Sequence, residues 1–342
     1  MKILVSLLAI TFSFFSTLLG HSHDTMMLFT GNANPELAQK LANYLQIPLG
    51  AATVNTFNDG EIQIHIHESV RGKDIFIVQS SCRNSIQGVN DNLMELYLLI
   101  RTMKRASANR ITVVIPYYGY ARQDRRTTSR VPISAADIAL MLEIAGVDRI
   151  ITIDLHCGQI QGFFRDIPVD NLFAYSLFVP HMLGKELRNV VVVSPDTGGL
   201  ERARRFSEAL KKQGMNAEIA LISKERVKAG VVGSMHLIGS VQDADAIIVD
   251  DICDTGGTLV KAAELIKNSG AHRVFALITH PVFSGNALEN IRNSVIEEMV
   301  VTDTIPLPKN IPDNIHCISV APLLGQAILR VQTGQSISIM FE

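Results

Sequence analysis

Ile248-Val249-Asp250-Asp251-Ile252-Cys253-Asp254-Thr255-Gly256-Gly257-Thr258 decides how this chain is read. An apolar strand, Ala246 to Val249, runs into two carboxylates. A short turn follows, then a Thr-Gly-Gly-Thr loop and a helical stretch from Leu259 to Lys267. Glycines let backbone N–H groups close on an anion, and a helix N-terminus adds partial positive charge. Threonine hydroxyls donate to phosphate oxygens. Carboxylates repel phosphate, so Asp250, Asp251 and Asp254 suit hydroxyls, as on a ribose, or a metal ion. A sugar phosphate satisfies both halves at once. A plain strand-turn-helix would leave three acids crowded together without a reason.

The spacing lacks the Gly-Lys-[Ser/Thr] ending of a nucleotide P-loop and the G-x-G-x-x-G of a dinucleotide site. It resembles the phosphoribosyl-binding loop of type I phosphoribosyltransferase-like folds. That resemblance implies ribose 5-phosphate or its diphosphate as ligand and leaves the reaction open.

Outward from this loop, apolar strands alternate with amphipathic helices. Strand-like runs cover Asp74 to Gln79, Ile111 to Pro116, Ile150 to Ile153, Val190 to Val193 and Val274 to Thr279. Several are continuous and β-branched, as strands buried on both faces of a parallel sheet should be. Helical stretches cover Pro35 to Leu45, Asn90 to Met103, Ser134 to Ala145, Gly199 to Lys212 and Gly257 to Asn268. The alternation predicts α/β architecture, with sheets covered by helices. A faint repeat pairs Ile150–His156 with Ile247–Cys253, and Arg110–Val114 with Arg273–Leu277. It predicts two copies of one α/β domain, 27–170 and 171–342, with the last residues packing back on the first. Glu61 to Glu68 alternates strictly, so Ile62, Ile64 and Ile66 face inward while Gln63, His65 and His67 face out.

The 342 residues carry a net charge of −2 and are 47% hydrophobic. That length suits two ordinary domains, and the balance argues against a nucleic-acid binder. Anionic substrates must then be met by local clusters of Arg and Lys. With no Trp and 6% aromatic residues, a stacking surface for single strands is excluded. Four scattered cysteines match no zinc or disulfide framework and suit a reducing, cytoplasmic compartment. The first 25 residues disagree: Lys2 and the apolar run Ile3 to Leu19 read as a secretory signal or membrane anchor. The other reading is a start at Met26 or Met27.

Three further clusters carry chemistry. Arg122-Gln123-Asp124-Arg125-Arg126 follows a strand and sits outside its carboxyl end, where open α/β sheets bind ligands. Arginine forks match phosphate oxygens. Lys224-Glu225-Arg226, with Gly230 and Gly233 after it, reads as a mobile basic loop able to fold over anions; taken alone, the pattern favours a solvated loop. His156 and Asp196 each stand at a strand end and could share a Mg²⁺ ion.

Together these segments resemble the ribose-phosphate pyrophosphokinase (phosphoribosyl diphosphate synthetase) family from about Leu28 to Glu342. The resemblance rests on Phe57-Asn58-Asp59-Gly60-Glu61, Asn90 to Leu96, Tyr120 to Arg126, Asp154-Leu155-His156 and Gln159 to Phe164. It continues through Ser194-Pro195-Asp196, Lys224-Glu225-Arg226, the opening loop and Thr279 to Gly285. It implies two tandem phosphoribosyltransferase-like domains, each a mainly parallel sheet flanked by helices. It also implies transfer of the diphosphoryl group of ATP to the C1 hydroxyl of ribose 5-phosphate. By that resemblance Phe57, Asp59, Gly60 and Glu61 of a neighbouring subunit, with Arg122, Gln123 and Asp124, hold ATP. His156 and Asp196 hold Mg²⁺. Arg226, Asp250, Asp251, Asp254, Thr255, Gly256, Gly257 and Thr258 hold ribose 5-phosphate, and Lys224 and Arg226 act during transfer. Hexamers built from dimers with shared active sites, and phosphate and ADP as effectors, are further implications. Cys82 to Asn90 is longer than the family's usual connection, and Arg165 is an insertion. Two other functions share part of the pattern: a base phosphoribosyltransferase and a non-catalytic regulatory homologue.

Overall fold

A computed structural model describes residues 25–228 and 231–341; the leader before them, and the side chains of 224–233, lie outside the described residues. The chain runs through one sequence of elements twice. The first pass is β1 (Met26–Thr30), α1 (Pro35–Leu45), a hairpin of β2 (Ala52–Thr56) and β3 (Ile62–Ile66), β4 (Asp74–Val78) and α2 (Val89–Arg105). It closes with β5 (Arg110–Ile115), α3 (Ser134–Ala145), β6 (Arg149–Ile153), β7 (Val169–Leu172) and α4 (Tyr175–Leu183). The second pass is β8 (Val190–Ser194), α5 (Leu200–Lys212), a hairpin of β9 (Ala217–Lys228) and β10 (Val231–Ile238), β11 (Asp245–Cys253) and α6 (Gly257–Asn268). It closes with β12 (Arg273–Pro281), α7 (Ala287–Arg292), β13 (Glu298–Thr302), β14 (Ile315–Ile318) and α8 (Ala321–Gln332).

The sheets match in the same way. One has the order β1-β4-β5-β6-β7 with every pair parallel. The other contains β8-β11-β12-β13-β14, again parallel, and adds its hairpin at the β8 edge. In this register β5 answers β12, as Arg110–Val114 and Arg273–Leu277 suggest. The other pairing in sequence, Ile150–His156 with Ile247–Cys253, is out of register: β11 answers β4, and β6 answers β13. Apolar strands ending on acids are common at parallel-sheet ends, so that likeness marked position in a sheet and not descent from one strand. The division expected near Asp170 falls inside β7, which pairs with β6 through Leu172.

Continuous apolar strands follow from what lies on each face. Leu28, Phe76 and Val78 join Val192, Ile247 and Val249 in one core that lies between the two sheets and includes residues of α1, α4, α5 and α8. The alternate residues Phe29, Ile75 and Ile77 pack outward against α2 and α3. Val191, Val193, Ala246 and Ile248 do the same beneath α6. Both halves therefore share their inner layer. As expected, Ile64 and Ile66 pack inward from the first hairpin while His65 and His67 are exposed.

Residues 224–228 and 231–233, read from sequence as parts of a mobile loop, belong to the two strands of an antiparallel hairpin. Lys224 stands opposite Met235 and Arg226 opposite Val232, with irregular register between them. The long connection after β4 is organised by its own side chains. Asn84 Oδ1 accepts from the N–H groups of Ile86 and Gln87. Glu95, fully buried on α2, accepts from Asn32 N–H (2.9 Å), Asn32 Nδ2 (2.7 Å), Gln79 Nε2 (3.0 Å) and Gln87 Nε2 (2.6 Å). Arg165 donates its N–H to Glu143 Oε1 of α3.

At the far end of β11 from the acidic loop, Asp245 is fully buried. It accepts from Arg273 Nε (2.9 Å) and Nη2 (2.6 Å), from Arg188 N–H (2.8 Å), and pairs with His272 Nδ1 (3.0 Å). Burial alone would raise its pKa, but these partners override it and hold the carboxyl at about 2. The folded value lies below the unfolded one, so the stabilisation is present above pH ~4 and is lost as pH falls through about 2. Asp245→Asn should cost about 2 kcal/mol at pH 7 and flatten the stability profile between pH ~4 and ~2. Denaturant unfolding across that range measures it; an unchanged acid limb contradicts the assignment.

Candidate active site

β11 does not end at Val249. Ile252 and Cys253 still pair with His280 and Pro281 of β12, so Asp250 and Asp251 stand on the strand itself. Successive strand residues point to opposite faces. The Asp250 carboxylate folds back along the strand, where its Oδ1 accepts from Asp251 N–H at 2.9 Å. The chain then bends through Asp254 and Thr255 into α6. Gly256 caps that helix at φ 73°, a left-handed conformation that favours glycine. The first N–H groups of α6 have no partner within the helix and face the loop. Asn290 Nδ2 holds the loop from behind through Thr255 O at 3.0 Å.

A cleft of about 640 Å³ opens over this loop, within the usual size of a small-ligand site. Its walls come from both halves of the chain: Arg122, Asp124, His156 and Cys157 from the first, and Asp196 with the β11–α6 residues from the second. Of the residues singled out from sequence, Asp250, Asp251, Asp254, Thr255, Gly256 and Thr258 also line it. Gly257 opens α6 without lining the cleft, and Gln123 turns away to accept from Ser134 Oγ. Phe57, Asp59, Gly60 and Glu61 form the exposed tip between β2 and β3, outside the cleft of this chain. The strand carrying Lys224 and Arg226, β9, passes its edge, where Ser223 lines it.

Electrostatics hold the acids in place. Arg202, on the first turn of α5, lies between Asp250 (3.4 Å) and Asp251 (3.2 Å). His156 Nδ1 meets Asp251 Oδ2 at 2.8 Å. Arg122 Nη1 donates to Asp254 Oδ2 at 2.6 Å. Burial and the charge of Asp251 push the Asp250 carboxyl well above the usual range. Burial acts on Asp251 too, but Arg202 and His156 overcome it and hold that carboxyl low. The bond to Asp251 outweighs partial burial at His156 and raises its imidazole. Burial likewise opposes ionisation of Asp254, and Ser284 and Arg122 reverse that.

His156 and Asp196 face one cleft, yet among the described residues no three His, Cys, Asp or Glu side chains converge as a metal cage. Asp196 Oδ1 accepts from Gly199 N–H at 3.0 Å. Arg202 is the functional residue that sequence reasoning missed. A signal was present: Asp-Thr-Gly-Gly occurs at 196–199 and again at 254–257, each after an apolar strand and before a helix. Both copies open on the cleft.

Comparison with known proteins agrees with this geometry. The N-terminal domain of ribose phosphate pyrophosphokinase matches residues 26–146, and the phosphoribosyl synthetase-associated domain matches residues 217–342. A ribose-phosphate pyrophosphokinase from Buchnera aphidicola subsp. Acyrthosiphon pisum is 52% identical over 320 residues, covering 93% of this chain and 99% of its own. That of Vibrio parahaemolyticus is 53% identical over 319 residues, covering 92% and 99%. The crystal structure of phosphoribosylpyrophosphate synthetase from Mycobacterium smegmatis superposes with a TM-score of 0.82 at 38% identity, covering 90% of this chain and 98% of that one. The two-fold α/β repeat, the cleft between its halves and these likenesses together place the chain in the ribose-phosphate pyrophosphokinase family.

Proposed function

We propose that the chain is a ribose-phosphate diphosphokinase, which moves the β,γ-diphosphoryl group of ATP to the C1 hydroxyl of ribose 5-phosphate. AMP and phosphoribosyl diphosphate are the products. One observation carries this reading: the glycine-threonine cradle and its acids share a single cleft with Arg122 and His156, supplied by the other half of the chain. A base phosphoribosyltransferase shares the cradle but binds no ATP, so it would not need the Arg122-Gln123-Asp124 run or the His156–Asp196 pair.

Diphosphoryl transfer asks for in-line positioning and charge neutralisation more than for covalent chemistry. Thr255, Gly256, Gly257 and Thr258 present N–H and hydroxyl donors to the 5-phosphate. Asp250, Asp251 and Asp254 are suited to the ribose hydroxyls, with Arg202 and Arg122 balancing their charge. Arg122 and Asp124, joined by Gln123, are assigned to ATP, as is the tip Phe57, Asp59, Gly60 and Glu61 acting from a neighbouring subunit. That tip's exposure in the single chain suits a contact made in trans. Lys224 and Arg226 are assigned to the charge that grows on the transferring group, and Arg226 to ribose 5-phosphate as well. The sugar's own hydroxyl is the nucleophile.

The donor set fits Mg²⁺. This ion keeps several waters and takes oxygens from substrate phosphates, so it does not need a cage of protein ligands. Asp196 and His156 would hold it, with Asp251 orienting the His156 ring through Nδ1 as a carboxylate partner commonly does. When bound it supplies charge neutralisation between phosphate oxygens. Hexamers built from dimers, and phosphate and ADP as effectors, belong to the same proposal. So does a cytoplasmic location, where both substrates are made; among the described residues no helix is long and apolar enough to cross a membrane.

Incubation with ATP, Mg²⁺ and ribose 5-phosphate should release AMP and phosphoribosyl diphosphate in equal amounts. Consumption of phosphoribosyl diphosphate with a nucleobase, releasing diphosphate and using no ATP, would make the chain a transferase instead. No turnover alone, with altered activity of a homologous enzyme on mixing, would make it a regulator. Lys224→Ala should lower kcat by roughly 10²–10³, or ~2.7–4 kcal/mol, while the KM for ATP barely moves. Near-normal kcat removes Lys224 from the transfer step. Arg202→Ala leaves Asp250 and Asp251 without their shared guanidinium and should destabilise the fold by about 3–5 kcal/mol in thermal or denaturant unfolding.

A further inference from the structure

His280 lies at the end of β12, beside Ile252 of β11 and one residue pair beyond the acids. It is 2% exposed and takes no part in lining the main cleft. Its contacts cross the boundary between the halves. Nε2 lies 3.0 Å from Ile153 O and 3.3 Å from Asp154 O. Both partners are carbonyl oxygens, so Nε2 carries the proton and donates to the end of β6. Nδ1 lies 3.0 Å from Thr304 Oγ1. Burial favours the neutral ring. In that form Nδ1 accepts from the Thr304 hydroxyl, and Thr302 Oγ1 serves Thr279 O at 2.6 Å. Ser80 Oγ, from the end of β4, closes the set on Thr304 O at 2.7 Å.

What this set holds is an uncommon backbone. Asp154 has φ 40°, in the left-handed region that side chains other than glycine rarely adopt. Its own carboxylate helps, since Oδ2 accepts from Ala174 N–H (3.1 Å) and from Thr279 Oγ1 (2.7 Å). Two residues on stands His156, whose ring must reach Asp251 on the neighbouring half. Thr279 and His280 thus grip the turn that aims His156 from one side, while β12 pairs with the strand bearing Asp251 on the other.

We propose that His280 is a positioning residue: its Nε2–H fixes the Asp154 turn against β12 and so sets the contact between His156 and Asp251 across the two halves. This rests on the diphosphokinase reading only for its kinetic readout. A residue that merely filled space would be replaced by any side chain of like volume. A positioning donor needs an N–H at the Nε2 position, which Gln can supply and Leu cannot.

Two measurements test it. Crystal structures of His280→Leu and His280→Gln report the His156 Nδ1 to Asp251 Oδ2 separation directly, whatever the enzyme's activity. The leucine variant should carry it from 2.8 Å out of hydrogen-bond range and the glutamine variant should retain it. An unchanged distance in His280→Leu overturns the proposal. In steady-state kinetics His280→Leu should lower kcat roughly 10- to 100-fold with the KM for ribose 5-phosphate little changed, and His280→Gln should recover most of that loss. Combined with His156→Ala, the leucine change should add almost nothing. Independent, multiplying losses mean that His280 does not act through His156. If the wild-type chain itself makes no AMP, the diphosphokinase reading fails while the structural comparison still decides the role of His280.

Discussion

Three carboxylates held within five residues of one another are the constraint on which this structure turns. Asp250, Asp251 and Asp254 repel each other, and withdrawal from water makes that worse. Their counter-cations are not local. Arg202 comes from α5, and Arg122 and His156 come from the other half of the chain. Asp250 is pushed toward its protonated form, while Asp251 and Asp254 are held ionised by cations drawn from both halves. The shared apolar layer between the sheets brings those halves together, because neither half has a closed inner face of its own. The charge cluster and the shared core are thus two sides of one requirement. The acidic rim is held beside the glycine-threonine loop, and Arg122, His156 and Arg202, which allow this, line the same cleft.

β11 illustrates how rigidity is distributed. One end is anchored by Asp245, paired with Arg273 and His272 and closed off from water. The other end carries the acids and is held by pairing with β12 and by ion pairs with Arg202, His156 and Arg122. Between them the strand lies at the centre of its sheet, with β8 on one side and β12 on the other. A buried ion pair contributes little net stability in general, but removing one partner is costly. Asp245 and Arg202 are each placed where such a loss would disturb the strand that everything else uses.

Much of this was legible in the residues. Runs such as Val190–Val193 and Ile111–Ile115 are apolar on both faces because both faces are covered, and that is what a continuous β-branched run announces. Helix limits at Pro35 and Gly146 carried ordinary start and stop signals. The cradle was legible because glycine and threonine beside acids have few other uses. The β9–β10 hairpin was not, since Lys224-Glu225-Arg226 and the glycines after it look like any solvated loop. Arg202 was hidden by its neighbours. Arg204 and Arg205 pair with Glu201 and Glu208 on the surface, and only Arg202 falls on the inward face with Phe206. The tip from Phe57 to Glu61 shows a different limit. A sequence motif names residues, but here those residues stand exposed at a hairpin tip outside the cleft.

The duplicated frame has a consequence for how many anions one chain can hold. Where the second half ends β11 in an open cradle at the start of α6, the first half ends β4 beside α2 and Glu95. That carboxylate already takes the backbone N–H of Asn32 and the amides of Asn32, Gln79 and Gln87. The first half therefore carries an anion of its own, bound covalently and permanently, at the strand end where its twin leaves room for a visitor. The fold occurs twice, but among the described residues β4 and β11 end differently, one beside a satisfied carboxylate and the other in an open glycine-threonine loop.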